Sequence, residues 1–168
     1  MRSAVPQLQD YLEASAERLP EKVALVCGAR RLTYRELDQF SEGLARGLAA
    51  RGVARGDRVL IFGDNTVETV VAFWAALKAD AVAVPVNPLT KADRLAYLLA
   101  DCRPTALITD GHLDGVWKEV SGSPPRTAWI AFVISPGLHI LPVRGSRTSE
   151  HRFWRPRTAV FGSAVSTG

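Results

Sequence analysis

A chain of 168 residues is long enough for one domain with a sizeable core, and its 47% apolar and 23% charged residues are ordinary for a soluble globular protein. Residues 1–120 carry 15 basic and 16 acidic side chains, whereas residues 121–168 carry six arginines and one acid, Glu150. Because residues 1–120, the body of the chain, are nearly neutral, a protein that is basic throughout is excluded. The shift marks a boundary near residue 120, between the body of the chain and a basic tail.

The cysteines and the apolar runs indicate the compartment. Cys27 and Cys102 lie in apolar-flanked segments without CxxC spacing, so both are predicted to be buried thiols in a reducing environment. The first ten residues lack an apolar stretch of signal-peptide length, and the longest apolar candidate, residues 67–86, is interrupted by three charges. The sequence therefore predicts a soluble, cytoplasmic protein without a membrane partner.

The chain opens with leucines at helical spacing, which predict an amphipathic helix that ends before Pro20. These leucines are Leu8, Leu12 and Leu19. Two short β-like runs follow at residues 23–27 and 31–34. The turn at residues 28–30 contains a glycine and predicts that the two runs pair as a hairpin.

A second helix is predicted after this hairpin. Thr33 and Glu36 have the spacing of a capping box, in which each side chain accepts a hydrogen bond from the backbone N–H of the other residue. Apolar residues then recur at spacings of three and four, so they share one helix face. They are Leu37, Phe40, Leu44 and Leu48. Gly52 is predicted to end the helix, because glycine tolerates a left-handed conformation.

Three apolar runs of strand length alternate with helical segments, at residues 59–62, 81–86 and 105–109. Caps predicted at residues 65–68 and 90–93 begin the intervening helices. Their apolar faces consist of Val67, Val70, Val71 and Trp74, and of Leu95, Leu98, Leu99 and Cys102. Strands without polar alternation need cover on both faces, and the alternation of strand and helix indicates parallel pairing. We predict an α/β fold: a parallel β-α-β-α-β unit, preceded by a helix and a β-hairpin and followed by an irregular tail.

Four segments carry a recognisable pattern. They are LTYREL at residues 32–37, RGVARGDRVLIF at 51–62, LKADAVAVPVNP at 77–88 and LAYLLADCRPTALITD at 95–110. In this order and spacing they resemble the N-terminal subdomain of AMP-forming adenylating enzymes, a superfamily that includes acyl-CoA synthetases, peptide-synthetase adenylation domains and luciferases. The resemblance covers roughly residues 5–118 and implies an N-terminal subdomain over residues 1–118, followed by a tail over residues 119–168. Val-Asn-Pro at residues 86–88 looks more like an acyl-CoA synthetase than a peptide-synthetase domain, which usually has Leu-Asp-Pro.

This resemblance implies activation of a carboxylic acid with ATP to an acyl-adenylate, and transfer of the acyl group to coenzyme A. The chemistry needs a Gly/Ser/Thr-rich loop with a lysine for the phosphates and an acid for Mg²⁺. The family also uses a late lysine from a C-terminal domain, and all of these lie downstream of the four matched segments. The expectation is a truncated synthetase that binds no cofactor and is inactive alone.

No residue is therefore predicted to be catalytic, cofactor-binding or metal-binding. SGSPPRT at residues 121–127 has one glycine and no lysine, which favours a turn over a phosphate loop. Asp64 and Asn65 are interpreted as helix caps rather than ligands. The histidines lack metal-ligand spacing and an acidic or cysteine partner, so each is predicted to be a loop residue. They are His112, His139 and His151.

One departure from the family pattern is predicted to have a local cost. Asp80 stands where the family usually has glycine, which allows a helix to stop with a positive φ. Aspartate tolerates that conformation better than most residues, but less well than glycine. We expect a modest loss of stability and no change of function.

The tail contains RTSEHRFWRPRT at residues 147–158, where arginines alternate with rings. A strand is predicted near residues 127–134, and no hairpin, heptad or amphipathic pattern follows it. The favoured interpretation is a frameshift or a truncated gene, because arginine outnumbers lysine as in a GC-rich gene. Nucleic-acid binding through the arginines, Phe153 and Trp154 is an alternative that the neutral body disfavours. The other alternative is an interaction subdomain that docks on a separately encoded remainder of a split synthetase.

Overall fold

A computed structural model describes residues 5–121, 130–135 and 139–142. The helices are α1 (Leu8–Arg18), α2 (Tyr34–Ala49), α3 (Val67–Lys78), α4 (Ala92–Cys102) and α5 (Asp114–Ser121), with a 3-10 turn at Gly111–Leu113. The strands are β1 (Val23–Cys27), β2 (Arg30–Thr33), β3 (Arg58–Phe62), β4 (Val82–Val86), β5 (Ala106–Asp110), β6 (Ile130–Ser135) and β7 (His139–Pro142).

One sheet organises the fold, with strand order β4-β3-β5-β6-β7. The first four strands in this order are parallel neighbours, whereas β7 pairs antiparallel with β6. The chain forms β4 on one side of β3 and then crosses over to form β5 on the other side. The direction of winding therefore reverses between β3 and β5, and the predicted parallel β-α-β-α-β unit is confirmed.

Both faces of this sheet are covered, as its unbroken apolar strands predict. Val59 and Ile61 of β3 belong to a core cluster shared with α1, α2 and α3. Leu60 and Phe62 belong to a second cluster shared with α4 and α5. Because successive side chains of a strand point to opposite faces, the two helix layers lie on opposite sides of the sheet.

The amino-terminal elements form as predicted. α1 ends at Arg18, before Pro20, and β1 pairs antiparallel with β2. In the capping box of α2, Thr33 Oγ1 accepts from the Glu36 N–H at 3.2 Å, and the Glu36 carboxylate accepts from the Thr33 N–H at 2.8 Å. Gly52 follows α2 with φ 93°, in the left-handed region that favours glycine.

The caps of the next two helices differ from the prediction. Thr66 caps α3, because its Oγ1 accepts from the Thr69 N–H at 3.3 Å, so the interpretation of Asp64 and Asn65 as caps was wrong. α4 begins after Lys91, whose side chain offers no acceptor and makes no cap hydrogen bond. The predicted helix faces also omitted small residues. The buried face of α3 includes Ala72, Ala75 and Ala76, whereas Val70 and Trp74 are only partly buried.

Cys27 and Cys102 are free thiols, but they are half-buried rather than buried as predicted. Cys27 Sγ lies 3.5 Å from the carbonyl oxygen of Asn65, at the margin of the core. Among the described helices, none combines the length and the apolar content needed to cross a bilayer.

Two strands lie within the segment predicted to be a tail. β6 confirms the strand expected near residues 127–134, whereas its antiparallel pairing with β7 was not predicted. The four residues of β7 are too few to display a strand period. The domain boundary at residue 118 stays a prediction, and residues 147–158, with the proposed ring and arginine contacts, lie outside the described residues.

Candidate functional site at the carboxyl edge of the sheet

The carboxyl ends of β3 and β5 lie side by side where the winding of the sheet reverses. In open α/β sheets, ligands bind in the crevice at such a switch point, because the neighbouring crossovers leave on opposite faces. Phe62 pairs with Thr109 in the register of these strands. The residues that follow this pair, Gly63 and Asp64 after β3 and Asp110 at the end of β5, therefore share one edge.

Asp110 joins the two turns through a carboxylate oxygen. Its Oδ2 accepts a hydrogen bond from the Asp64 N–H at 2.6 Å. Gly63 allows this approach, because a Cβ at that position would lie 2.9 Å from Asp110 Oδ2 and 3.0 Å from Thr69 Oγ1. Asp110 is 8% exposed, so the backbone of one turn holds a buried carboxylate of the other in place.

His112 adds an imidazole to the same edge. His112 Nε2 lies 3.2 Å from Asp64 Oδ2, and both side chains are about half exposed. One donor atom from each of Asp64, Asp110 and His112 lies within 4.8 Å of the other two. We name these three residues the switch-point cluster; its buried end is Asp110 and its open end is His112.

The switch-point cluster carries excess negative charge. Burial raises the pKa of the Asp110 carboxyl above its ordinary value, and the charges of Asp64 and Glu68 raise it too, whereas the Asp64 N–H and His112 lower it. Glu68 is 3% exposed and pairs with the Arg30 guanidinium from the hairpin, so its charge is balanced. Among the described residues, His112 is then the only cationic partner of Asp64 and Asp110, and only when it is protonated.

This edge suits a cation better than a phosphate. The turn before α3 contains one glycine, Gly63, and no lysine, and the carboxylates of Asp64 and Asp110 repel anionic oxygens. Carboxylate and imidazole atoms instead hold protons or metal ions. The described residues at this edge therefore do not fit the phosphates of ATP, and no step of a nucleotide reaction is assigned to them.

The sequence did not predict this cluster. His112 was expected to lack an acidic partner, which was wrong, because Asp64 and Asp110 lie beside it. The two aspartates are 46 residues apart, but each follows or ends an apolar strand, and parallel neighbours end at the same edge. The sequence therefore indicated that both aspartates lie at the same edge of the sheet, but not that β3 and β5 are neighbours. His139 lies in β7, and His151 lies outside the described residues. The expectation that no residue is catalytic, cofactor-binding or metal-binding stays a prediction.

Sequence comparison gives a consistent set of relatives. Tyrocidine synthase 3 of Brevibacillus parabrevis is 39% identical over 104 residues, which are 62% of this chain and 2% of that protein. Isonitrile lipopeptide synthase of Mycobacterium tuberculosis (strain ATCC 25618 / H37Rv) is 37% identical over 110 residues, 66% of this chain and 4% of that protein.

Solved structures share the fold. The anthranilate CoA ligase AuaEII, solved in complex with anthranoyl-AMP, superposes with a TM-score of 0.74 at 26% identity over 79% of this chain. A fatty acyl CoA synthetase of Mycobacterium tuberculosis superposes with a TM-score of 0.68 at 29% identity over 73% of this chain. This chain spans 26% of each of these two proteins and far less of the peptide synthetases. The model of the AMP-binding enzyme family matches residues 12–135, so the chain belongs to the family of AMP-binding enzymes.

Proposed function

We propose that this chain supplies the amino-terminal α/β subdomain of a ligase that activates a carboxylic acid with ATP. The observation that supports the proposal most is the family match over residues 12–135, which includes α2 to β5 and the reversal of winding between β3 and β5. The activation replaces a poor leaving group, the carboxylate oxygen, with AMP, and releases pyrophosphate. The acyl group then passes to a thiol.

We propose that the described residues frame this enzyme and that the chain alone does not form an adenylate. The 168 residues contain no Gly/Ser/Thr-rich loop with a lysine, and the carboxylates of the switch-point cluster disfavour phosphates. ATP and Mg²⁺ would then be held by a further part of the enzyme. In the alternative of a split synthetase, a separately encoded remainder supplies that part and is the partner of this chain.

Pyrophosphate release tests this proposal. The purified full chain is incubated with ATP, Mg²⁺ and a panel of carboxylic acids, with an intact acyl-CoA synthetase as the positive control. We expect no acid-dependent release from the chain alone, and such release would contradict the proposal. Co-purification of this chain with a separately encoded remainder, together with release by the pair, would support the split synthetase.

Coenzyme A is the proposed thiol acceptor. Val-Asn-Pro at residues 86–88 and the CoA ligases among the structural neighbours support it. A carrier-bound thiol is the second candidate, because peptide synthetases are 39% and 37% identical to this chain. An active complex that converts acyl-adenylate to acyl-CoA supports the first candidate, whereas one that acylates only a carrier-protein phosphopantetheine supports the second.

We also propose a cytoplasmic location and no nucleic-acid partner. Two free thiols fit a reducing compartment. Residues 1–120 are nearly neutral, which disfavours binding of phosphates by this part of the chain. Salt-sensitive retention on RNA that is lost when residues 136–168 are deleted would contradict the second statement.

A further inference from the structure

The switch-point cluster has the donor set and the spacing of a metal site. Its donors are two carboxylates and one imidazole, from the turns after two adjacent parallel strands. Bonds of about 2.0–2.1 Å in a tetrahedral zinc site place ligand atoms about 3.3 Å apart. His112 Nε2 and Asp64 Oδ2 are already 3.2 Å apart, and all three donors lie within 4.8 Å of one another. The side chains that would rotate to close the site are those of Asp64 and His112, which are about half exposed.

Asp110 is the anchored member of the cluster. Its Oδ2 accepts the Asp64 N–H, whereas no residue in the described ranges donates to Oδ1, which leaves that oxygen available to a ligand. The Asp64 N–H and the close contact with Gly63 hold the carboxylate in one orientation, as hydrogen bonds around a metal ligand do.

The negative charge of the two carboxylates also favours a bound cation. Arg30 is already paired with Glu68, so it does not neutralise Asp64 or Asp110. The position is the switch point of a doubly wound sheet, where such folds bind ligands. The side chains of Asp64 and His112 are each about half exposed to solvent. An ion can therefore reach the cluster from solvent and keep water as a further ligand.

We propose that Asp64, Asp110 and His112 bind one divalent first-row transition-metal ion, with Zn²⁺ as the best fit. An imidazole donor favours such ions over Mg²⁺ and Ca²⁺, which prefer oxygen ligands alone. The ion joins the turn after β3 to the turn after β5 and neutralises the two aspartates. The inference is independent of the proposed ligase activity, because it concerns binding by this chain without nucleotide.

Calorimetric titration of the metal-stripped full chain with Zn²⁺ tests the proposal. We expect one saturable site. Asp110→Asn keeps an acceptor for the Asp64 N–H and His112→Asn removes the imidazole from an exposed position, and each should weaken binding by about tenfold or more. Cys27→Ser and His151→Asn are the matched controls, because they remove other zinc-binding side chains, and they should leave this affinity unchanged.

Three results would overturn the proposal. These are no saturable binding up to about 1 mM Zn²⁺, equal affinity in the wild type and both cluster variants, and loss of binding only in the control variants. Thermal unfolding gives a second readout, since a ligand that binds only the folded chain raises the Tm. Zn²⁺ should raise the Tm of the wild type and of Cys27→Ser more than that of Asp110→Asn. Equal shifts in all three would also overturn the proposal.

Discussion

Lys78 Nζ lies 2.9 Å from Asp38 Oδ1, and the Lys78 side chain is only 2% exposed. Glu13 Oε1 is 3.1 Å from the same nitrogen and Glu42 Oε2 is 3.7 Å from it. The ammonium group at the end of α3 is therefore surrounded by carboxylates from α1 and α2. Leu12 is the one fully buried side chain of α1, so this ion cluster is a main attachment of that helix.

Replacement of Lys78 by methionine should destabilise the fold. Methionine fits the apolar stem, but Glu13, Asp38 and Glu42 then lose their shared cation and repel one another. Removal of one partner of a buried ion pair costs about 3–5 kcal/mol, and we expect about 2–3 kcal/mol here because the carboxylates are partly exposed. Urea unfolding measures the change. Glu42→Gln is the control: its carboxylate is the most distant of the three, so it should cost less than about 1 kcal/mol. Equal losses in the two variants would contradict this account.

The same cluster makes stability depend on pH at the alkaline end. Burial by itself lowers the pKa of Lys78, but its bonds to the carboxylates of Asp38 and Glu13 outweigh burial and raise the pKa above 10.5. The folded chain thus holds this proton more tightly than the unfolded chain. The contribution is fully present below pH 10.5 and is lost as the pH rises through the raised pKa. The difference in unfolding free energy between wild type and Lys78→Met should therefore be constant from pH 7 to about 10 and shrink above it. A difference that grows with pH would be inconsistent with the direction of this shift.

Gly63→Ala should disrupt the switch-point cluster. The new Cβ would meet Asp110 Oδ2 at 2.9 Å and Thr69 Oγ1 at 3.0 Å, so the Asp110 side chain or the turn that holds it must shift. Overpacking of this kind costs about 1–3 kcal/mol. Gly47→Ala in α2 is the matched control, because its Cβ meets only Arg51 Nη1, at an ordinary 3.6 Å. Alanine should stabilise that helix by about 0.5–1 kcal/mol. Denaturation of both variants gives the comparison, and a Gly63→Ala chain as stable as the wild type would mean that the two turns are not tightly packed.

Local chemistry explains which parts of the fold could be predicted. The capping box of Thr33 and Glu36 depends only on two residues three positions apart. The apolar runs of β3, β4 and β5 have the length of strands, and their apolar composition indicates burial. These features were confirmed. The cap of α4 was wrong because Thr90 competes with Lys91 for the first position, and sequence does not show which backbone turn forms.

The switch-point cluster was missed for a different reason. The contact between Asp64 and Asp110 depends on the lateral order of the strands, which places β5 directly beside β3, on the side opposite β4. Nothing local to either aspartate carries that order. The pairing of β7 with β6 likewise depends on the order of strands in the sheet, which the four residues of β7 do not encode by themselves.

Asp80 gives the last prediction, because its backbone has the conformation expected of the glycine usual in the family. Asp80 follows the end of α3 and has a φ of 56°. Its N–H donates to the carbonyl oxygen of Leu77, and its own carbonyl oxygen accepts a hydrogen bond from the Gly56 N–H. Left-handed backbone costs an ordinary residue about 1–2 kcal/mol and aspartate somewhat less.

Asp80→Gly keeps both backbone hydrogen bonds and removes the cost of the left-handed conformation. Glycine also raises the entropy of the unfolded chain, which offsets part of this gain, so the free energy of unfolding should rise by about 0.5–1 kcal/mol. Asp80→Ala is the control, since it also removes the carboxylate but tolerates a positive φ less well, and it should be less stable than the wild type. Paired urea unfolding curves separate the two effects. If both variants gain stability equally, loss of the carboxylate charge rather than backbone strain is responsible, and the residue is not strained.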